Sequence, residues 1–227
     1  MIKKELNKRV ITSVLSFIIL LIIIFSYNFV FVIALLFFSF AICIEFNNIF
    51  RKLVGDLYSP TAKFNLKFFA LMWIPFIYMF FIFCPLTFDN IYILKGPTFF
   101  LFIISICFCT DIGGYVVGKT IGGKKLTKIS PNKTISGSIG SFLFSIIPLI
   151  IFANLDNFQL TINLNTIILC FLISLVSQIG DLFISYLKRK AKIKDTGNIL
   201  PGHGGILDRT DGIILAIPFS SLLLNII

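Results

Sequence analysis

Ser177–Gly212 reads SQIGDLFISYLKRKAKIKDTGNILPGHGGILDRTDG and gathers four aspartates, the only histidine and a basic run. Asp181 stands in the last turns of an apolar run of membrane length. Gln178 lies three residues before it and Ser185 four after, so all three share one helical face. A carboxylate at that depth is expensive and by default faces a partner or a water-filled cavity. The plainer alternative is a helix-end aspartate that reaches the interface. Asp208 and Asp211 are three apart at the expected start of the last helix, which would put them on one face as well. First-turn acids can equally serve as caps and complement the helix dipole. Three aspartates at one membrane depth repel one another unless a cation sits between them. Hard oxygen ligands near phosphate suit Mg²⁺, with a second cation as an option. His203, in a Pro-Gly-His-Gly-Gly turn, is either a proton carrier or phosphate donor, or a residue that fixes the turn; no base role is assigned to it.

A second polar stretch, Asp111–Ser141, reads DIGGYVVGKTIGGKKLTKISPNKTISGSIGS. Gly113 to Thr120 matches the phosphate-loop pattern G-x-x-x-x-G-K-[ST]. That loop needs a buried strand before its glycines and a helix starting at the Lys-Thr. Here a membrane-length apolar run comes before and Gly122-Gly123 follows, so a phosphate loop is rejected. Flexible glycines, Lys119, Lys124, Lys125, Lys128 and Lys133, and the hydroxyls of Thr127, Ser130, Thr134 and Ser136 can still surround a polyphosphate. Thr134 or Ser136 can cap the helix that follows, whose N-terminal amides favour an anion. An ordinary positively charged cytoplasmic loop with an ordinary cap remains the alternative.

The elements that must carry these residues are apolar helices. The 227 residues are 57% hydrophobic and 13% charged, with mean hydropathy +1.00, which excludes an ordinary soluble domain. Seven apolar segments, 10–27, 29–46, 68–84, 97–117, 138–153, 166–186 and 212–226, approach bilayer length. The expected fold is an all-α polytopic bundle of about seven transmembrane helices in a single domain over 1–227, with residues 97–227 carrying the polar loops. Met1–Arg9 is basic, but the run after it is long for a signal peptide and lacks a small-residue cleavage site, so a retained helix is expected. With the N-terminus in the cytoplasm, 19 of the 20 basic residues fall on the cytoplasmic side and only Lys95 does not. The positive-inside bias therefore accounts for the net charge of +10 without a nucleic-acid partner. The five cysteines lie inside apolar runs, and neither a metal knuckle nor a disulfide framework is indicated.

The pattern Ser185-x-x-Lys188-Arg189, Lys194-Asp195, Pro201-x-His203-Gly204-Gly205-x-x-Asp208-Arg209-x-Asp211 resembles the fingerprint of the membrane phosphatidate cytidylyltransferases, the CDP-diacylglycerol synthases. Gln178-x-Gly180-Asp181 and Ser130-Pro131-Asn132-Lys133-Thr134 look like that family's other two blocks. The resemblance covers about Asp111–Gly212. It implies CTP plus phosphatidate giving CDP-diacylglycerol and pyrophosphate at the cytoplasmic face of the cell membrane. Asp181, Asp208 and Asp211 would hold the catalytic cations, with Lys188 beside them. Lys119, Ser130, Asn132, Lys133, Thr134, Ser185, Arg189, Lys194, Asp195, His203 and Arg209 would bind substrate. The implied partners are CTP, phosphatidate and membrane lipid, and a homodimer is left open. The chain departs from the family pattern at Ser136 and Ile184, where glutamates are usual, and at Gly114, where alanine is common. Two other readings are an ion-coupled transporter and a CTP-dependent kinase of another lipid such as a polyprenol. A transporter should show midplane polar residues in several helices and often a repeat, whereas here the polar residues concentrate at one face.

Overall fold

The computed structural model describes residues 28–54, 96–155, 160–197 and 204–224, with Ile199 and a few positions between 15 and 23. The expected spans over 10–27 and 68–84 lie largely or wholly outside the described residues. Among those described, the chain is all-helical. The helices are α1 (Asn28–Val54), α2 (Gly96–Ile121), α3 (Ile135–Phe144), α4 (Ile147–Ala153), α5 (Leu164–Lys190), α6 (Leu207–Thr210) and α7 (Ile213–Leu224). Three stretches, Thr98–Ile121, Ile135–Ala153 and Leu164–Lys190, are long and apolar enough to cross a membrane. The chain is a membrane protein.

Local chemistry sets the helix ends. Gly122 and Gly123 take φ of +65° and +110°, a region closed to most side chains, and they stop α2 at Ile121. Thr134 caps α3, its Oγ1 accepting from the Gly137 amide at 3.1 Å. The expected helix over 138–153 therefore begins at Ile135 and is broken into α3 and α4 at Ser145-Ile146. Pro148 has no N–H for the Phe144 carbonyl, so the hydrogen-bond ladder lapses there while Ser145 and Ile146 keep helical φ and ψ. At the other end of the site, α5 closes in a Schellman motif. The Ile193 amide donates to the Lys188 carbonyl and the Lys192 amide to that of Arg189. Lys192 takes the left-handed position at φ 55°, where glycine is usual.

The chain divides into two compact units, the boundary falling after Tyr186 in α5 and after Thr210 at the end of α6. The second unit holds α2, α3, α4, most of α5 and α7. Glycines bring α2 and α3 into backbone contact: a methyl on Gly113 would lie 2.6 Å from the Gly140 carbonyl oxygen, and one on Gly137 2.7 Å from that of Gly114. Small residues at such crossings are how helices pack tightly in lipid. The glycines expected to be flexible around a polyphosphate are thus helical and spent on packing, save Gly122 and Gly123. Hydroxyls stitch the same helices together. Thr110 Oγ1 donates to Ser174 Oγ at 3.0 Å, Ser141 Oγ to the Thr110 carbonyl at 2.8 Å, and Ser138 Oγ to Gln178 Oε1 at 2.6 Å.

The first unit is built on α1, the last turn of α5 and the chain up to α6. Ile42, Cys43, Glu45 and Ile49 of α1 are buried, as are Thr196 and Leu207.

Candidate active site

In the second unit the site is a lysine held between helices. The loop Gly122–Lys133 folds back as a short hairpin, with Lys125 bridged to Thr134 and the Leu126 amide donating to the Lys133 carbonyl at 2.8 Å. Ser136 Oγ closes it by donating to the Gly122 carbonyl and lies 3.0 Å from Thr134 Oγ1. This fixes Lys133 beside α5, where its ammonium pairs with Asp181 Oδ2. Ser185 Oγ donates to Asp181 Oδ1 at 3.3 Å, while Gln178 bonds to Ser138 and Ser174. Asp111, which the sequence reading quoted without giving it a role, stands on α2 within electrostatic reach of both Asp181 and Lys133.

Gly180 presses on the turn at Asp211-Gly212: a methyl there would lie 2.7 Å from the Asp211 carbonyl oxygen. Asp181 and Asp211 are therefore on adjoining stretches of backbone. Gly212 in turn sits on Ser177, where a methyl would come within 2.5 Å of Oγ. The other expected substrate groups of this unit are spread along the loop. Ser130 takes part through its backbone, its amide donating to Thr127 Oγ1 at 3.3 Å. Asn132 is exposed. Lys119, at the end of α2, donates to Tyr115 Oη at 3.3 Å and lies 5.5 Å from that ring's centre. The supposed phosphate loop, Gly113–Thr120, lies wholly inside α2.

The first unit holds the other pair. Lys188 Nζ donates to Asp208 Oδ1 at 2.8 Å. Asp208 Oδ2 accepts from the amides of Thr196 at 2.8 Å and Gly205 at 3.0 Å, and from Thr196 Oγ1 at 3.1 Å. Burial alone would raise the Asp208 pKa. The Lys188 hydrogen bond, the two amides and the Lys188 charge outweigh it, so the carboxyl is held below the ordinary range. Arg189, Lys194, Asp195 and Arg209 are exposed around this pair. Pro201 and His203 lie outside the described residues.

The single helix start expected to carry both Asp208 and Asp211 is not formed. A turn at Asp211-Gly212 separates α6 from α7, and the two aspartates belong to different compact units. Glycine at 212, seated on Ser177, lets the chain turn where a continuous helix was expected. Among the described residues no three carboxylate, histidine or cysteine groups gather closely enough to hold one ion. In the second unit Asp181 and Asp211 lie on adjoining stretches of backbone, and their carboxylate oxygens are the donor type that a hard cation takes.

Glu45 was missed altogether. It lies in α1 at 1% exposure and accepts from the Ile206 and Leu207 amides, each at 2.9 Å, and from Thr196 Oγ1 at 2.7 Å. An acid inside an apolar run was the available signal.

Apolar helices of membrane length with aspartate–lysine pairs at their polar ends define a class: membrane proteins that carry a charged site at helix ends. The sequence model of the cytidylyltransferase family matches residues 48–227, and the chain belongs to that family. It is 42% identical over 130 residues to the phosphatidate cytidylyltransferase of Bacillus subtilis (strain 168), a match covering 57% of this chain and 48% of the relative. The phosphatidate cytidylyltransferase of Rickettsia bellii (strain RML369-C) is 44% identical over 126 residues, 51% of this chain and 54% of the relative. That of Brucella suis biovar 1 (strain 1330) is 42% identical over 122 residues, 53% and 44% respectively. The chain thus spans about half the length of the curated relatives it matches.

Proposed function

We infer that the protein is a phosphatidate cytidylyltransferase, joining CTP and phosphatidate to give CDP-diacylglycerol and pyrophosphate at the cytoplasmic face of the cell membrane. The observation that carries this reading is the Lys133–Asp181 pair, which joins a basic loop to a carboxylate inside an apolar helix. The names of the relatives and the family match support it.

The phosphatidate phosphate is already an anion, so no serine or cysteine nucleophile is required. One of its oxygens forms a bond to the α-phosphorus of CTP, and the bond from that phosphorus to the bridging oxygen of pyrophosphate breaks. The protein's work is to bring two anions together, align the attack and neutralise the leaving group. Lys133 and Lys188 suit that work because each is steered by an aspartate, while Lys119, Arg189, Lys194 and Arg209 add exposed positive charge. Ser130, Asn132 and Thr134 line the loop that would take the nucleotide, and Ser185, Asp195 and His203 complete the proposed substrate groups. Asp181 and Asp211 are the proposed ligands of Mg²⁺, with or without a second cation, whereas Asp208, in the other unit, is engaged by Lys188, Thr196 and Gly205. When bound, that ion would supply Lewis-acid polarisation of the phosphoryl oxygens.

The test is to incubate the purified chain with CTP, phosphatidate and Mg²⁺ and look for a CDP-lipid. Asp181→Asn should lower the rate by about 100-fold or more. Full activity in that variant sinks the assignment of Asp181. No product from phosphatidate, while another lipid acceptor reacts with CTP, redirects the acceptor.

A further inference from the structure

Asp208 and Lys188 sit on a stretch of chain, Leu187–Thr210, whose described residues between α5 and α6 form no helix. Such a segment cannot by itself hold a charge pair in place to the tolerance that phosphoryl chemistry needs. What holds it comes from α1. Both oxygens of Glu45 are engaged. Oε1 takes the Ile206 amide and Oε2 takes the Leu207 amide and the Thr196 hydroxyl. Among the described residues no basic side chain pairs with this carboxylate, so backbone and hydroxyl donors alone stabilise a charge of 1% exposure.

The fit around that carboxylate is close. A methyl on Gly197 would lie 2.7 Å from Glu45 Oε1. One on Gly205 would collide with Glu45 Oε2 and Thr196 Oγ1. Two glycines thus admit the carboxylate to the loop. Thr196 then links the two acids: its hydroxyl lies 2.7 Å from Glu45 and 3.1 Å from Asp208, while its amide donates to Asp208 at 2.8 Å. One hydroxyl proton serves two carboxylates, and the shorter contact is to Glu45. Residues 206 and 207 immediately precede Asp208, so the two amides bound by Glu45 fix the backbone from which Asp208 projects.

We propose that Glu45 is a positioning residue for the transfer reaction: it clamps Thr196 and the Ile206-Leu207 amides so that Asp208 holds Lys188 in its working direction. Glu45 lies three residues ahead of the span matched by the family model. The proposal rests on the function inferred above for the Lys188–Asp208 pair.

Glu45→Gln keeps the shape but replaces one acceptor oxygen by an NH₂ that faces a backbone N–H or the Thr196 hydroxyl. In the detergent-solubilised full chain it should lower kcat for CDP-lipid formation by about 10–100-fold. The KM for CTP should stay within about 3-fold, because a misplaced group is felt in the reacting complex more than in binding. Hydrogen–deuterium exchange over 196–210 should be faster in the variant. Thr196→Val should give the same split between kcat and KM, and Thr196→Ser should recover most of what valine loses. Wild-type kcat and unchanged exchange in Glu45→Gln overturn the proposal. So does a general loss of folded protein in Glu45→Gln with Thr196→Val left at full rate, which would make Glu45 a stability residue only. If the wild-type chain makes no CDP-lipid, the function fails, and the exchange comparison still decides whether Glu45 clamps the segment.

Discussion

Asp181 and Asp208 are each paired with a lysine, yet their surroundings differ. Asp181 has one ammonium and a 3.3 Å hydroxyl, whereas Asp208 has an ammonium, two amides and a hydroxyl. The donors on Asp208 favour its charged form and lower its folded pKa. A group with a depressed folded pKa stabilises the fold fully above its unfolded value, about 4 for aspartate. That contribution is lost as pH falls through the lower folded value. Thermal unfolding of the solubilised protein should therefore show a decline in stability below about pH 4 that is shallower in Asp208→Asn; identical slopes would contradict the arrangement. The sequence revealed Asp181 because its i−3 and i+4 neighbours are polar, and Thr134 because a hydroxyl before an apolar run is a helix start. Glu45 could not be read that way. Its partners are 151 to 162 residues away along the chain, and Asn47, Asn48, Arg51 and Lys52 beside it read only as the polar end of an apolar helix. Ile184, standing where a glutamate is usual, is 2% exposed, which accounts for an apolar residue at that place.

Among the elements, α2 and α3 are the pair whose contact is set by glycine. A methyl on Gly140 would collide with the Val117 side chain and lie 2.9 Å from the Gly113 carbonyl oxygen. Gly140→Ala must push the two helices apart, and it should cost about 1–3 kcal/mol, read as a lowered thermal midpoint. The hairpin carrying Lys133 leaves from these helices, so activity should fall with it. The end of α5 gives the opposite expectation. Lys192 adopts a left-handed conformation that costs an L-residue about 1 kcal/mol or more. Lys192→Gly should raise stability by roughly that amount; a lower thermal midpoint would show that the lysine side chain makes a compensating contact. The apolar runs made α2 and α5 readable from composition alone. The breaks at Ser145-Ile146 and Asp211-Gly212 escaped, because each lies inside or beside a run whose hydropathy barely changes. Pro148 and Gly212 were the physical signals, and each acts through one missing group: an N–H in the proline, a side chain in the glycine.

For the whole molecule, charge carried the clearest information. Twenty basic residues against ten acidic ones suggest a polyanion partner until they are placed along the chain. With the seven expected spans they would gather on one side of the apolar segments, which reads as topology. What charge could not reveal is the division into two compact units, with the boundary inside α5 and again after Thr210. Contiguous sequence gives no sign that Leu187–Thr210 groups with α1, since Glu45 and the residues that it bonds there stand 151 to 162 positions apart.

The length of α5 has a consequence for the lipid around it. Its 27 residues extend about 40 Å at 1.5 Å per residue, against a hydrocarbon core of about 30 Å. Asp181 lies about 26 Å from the start of that helix, close to the far edge of such a core. Bilayer thickness thus decides whether the Lys133–Asp181 pair meets water or hydrocarbon. Turnover in vesicles of monounsaturated phosphatidylcholines should fall as the chains lengthen beyond those matching the helix, because thicker hydrocarbon engulfs the pair or forces the helix to shift. A rate independent of chain length would mean that α5 does not set the depth of the site. If it does, membrane thickness is itself a regulator of the reaction proposed for this site.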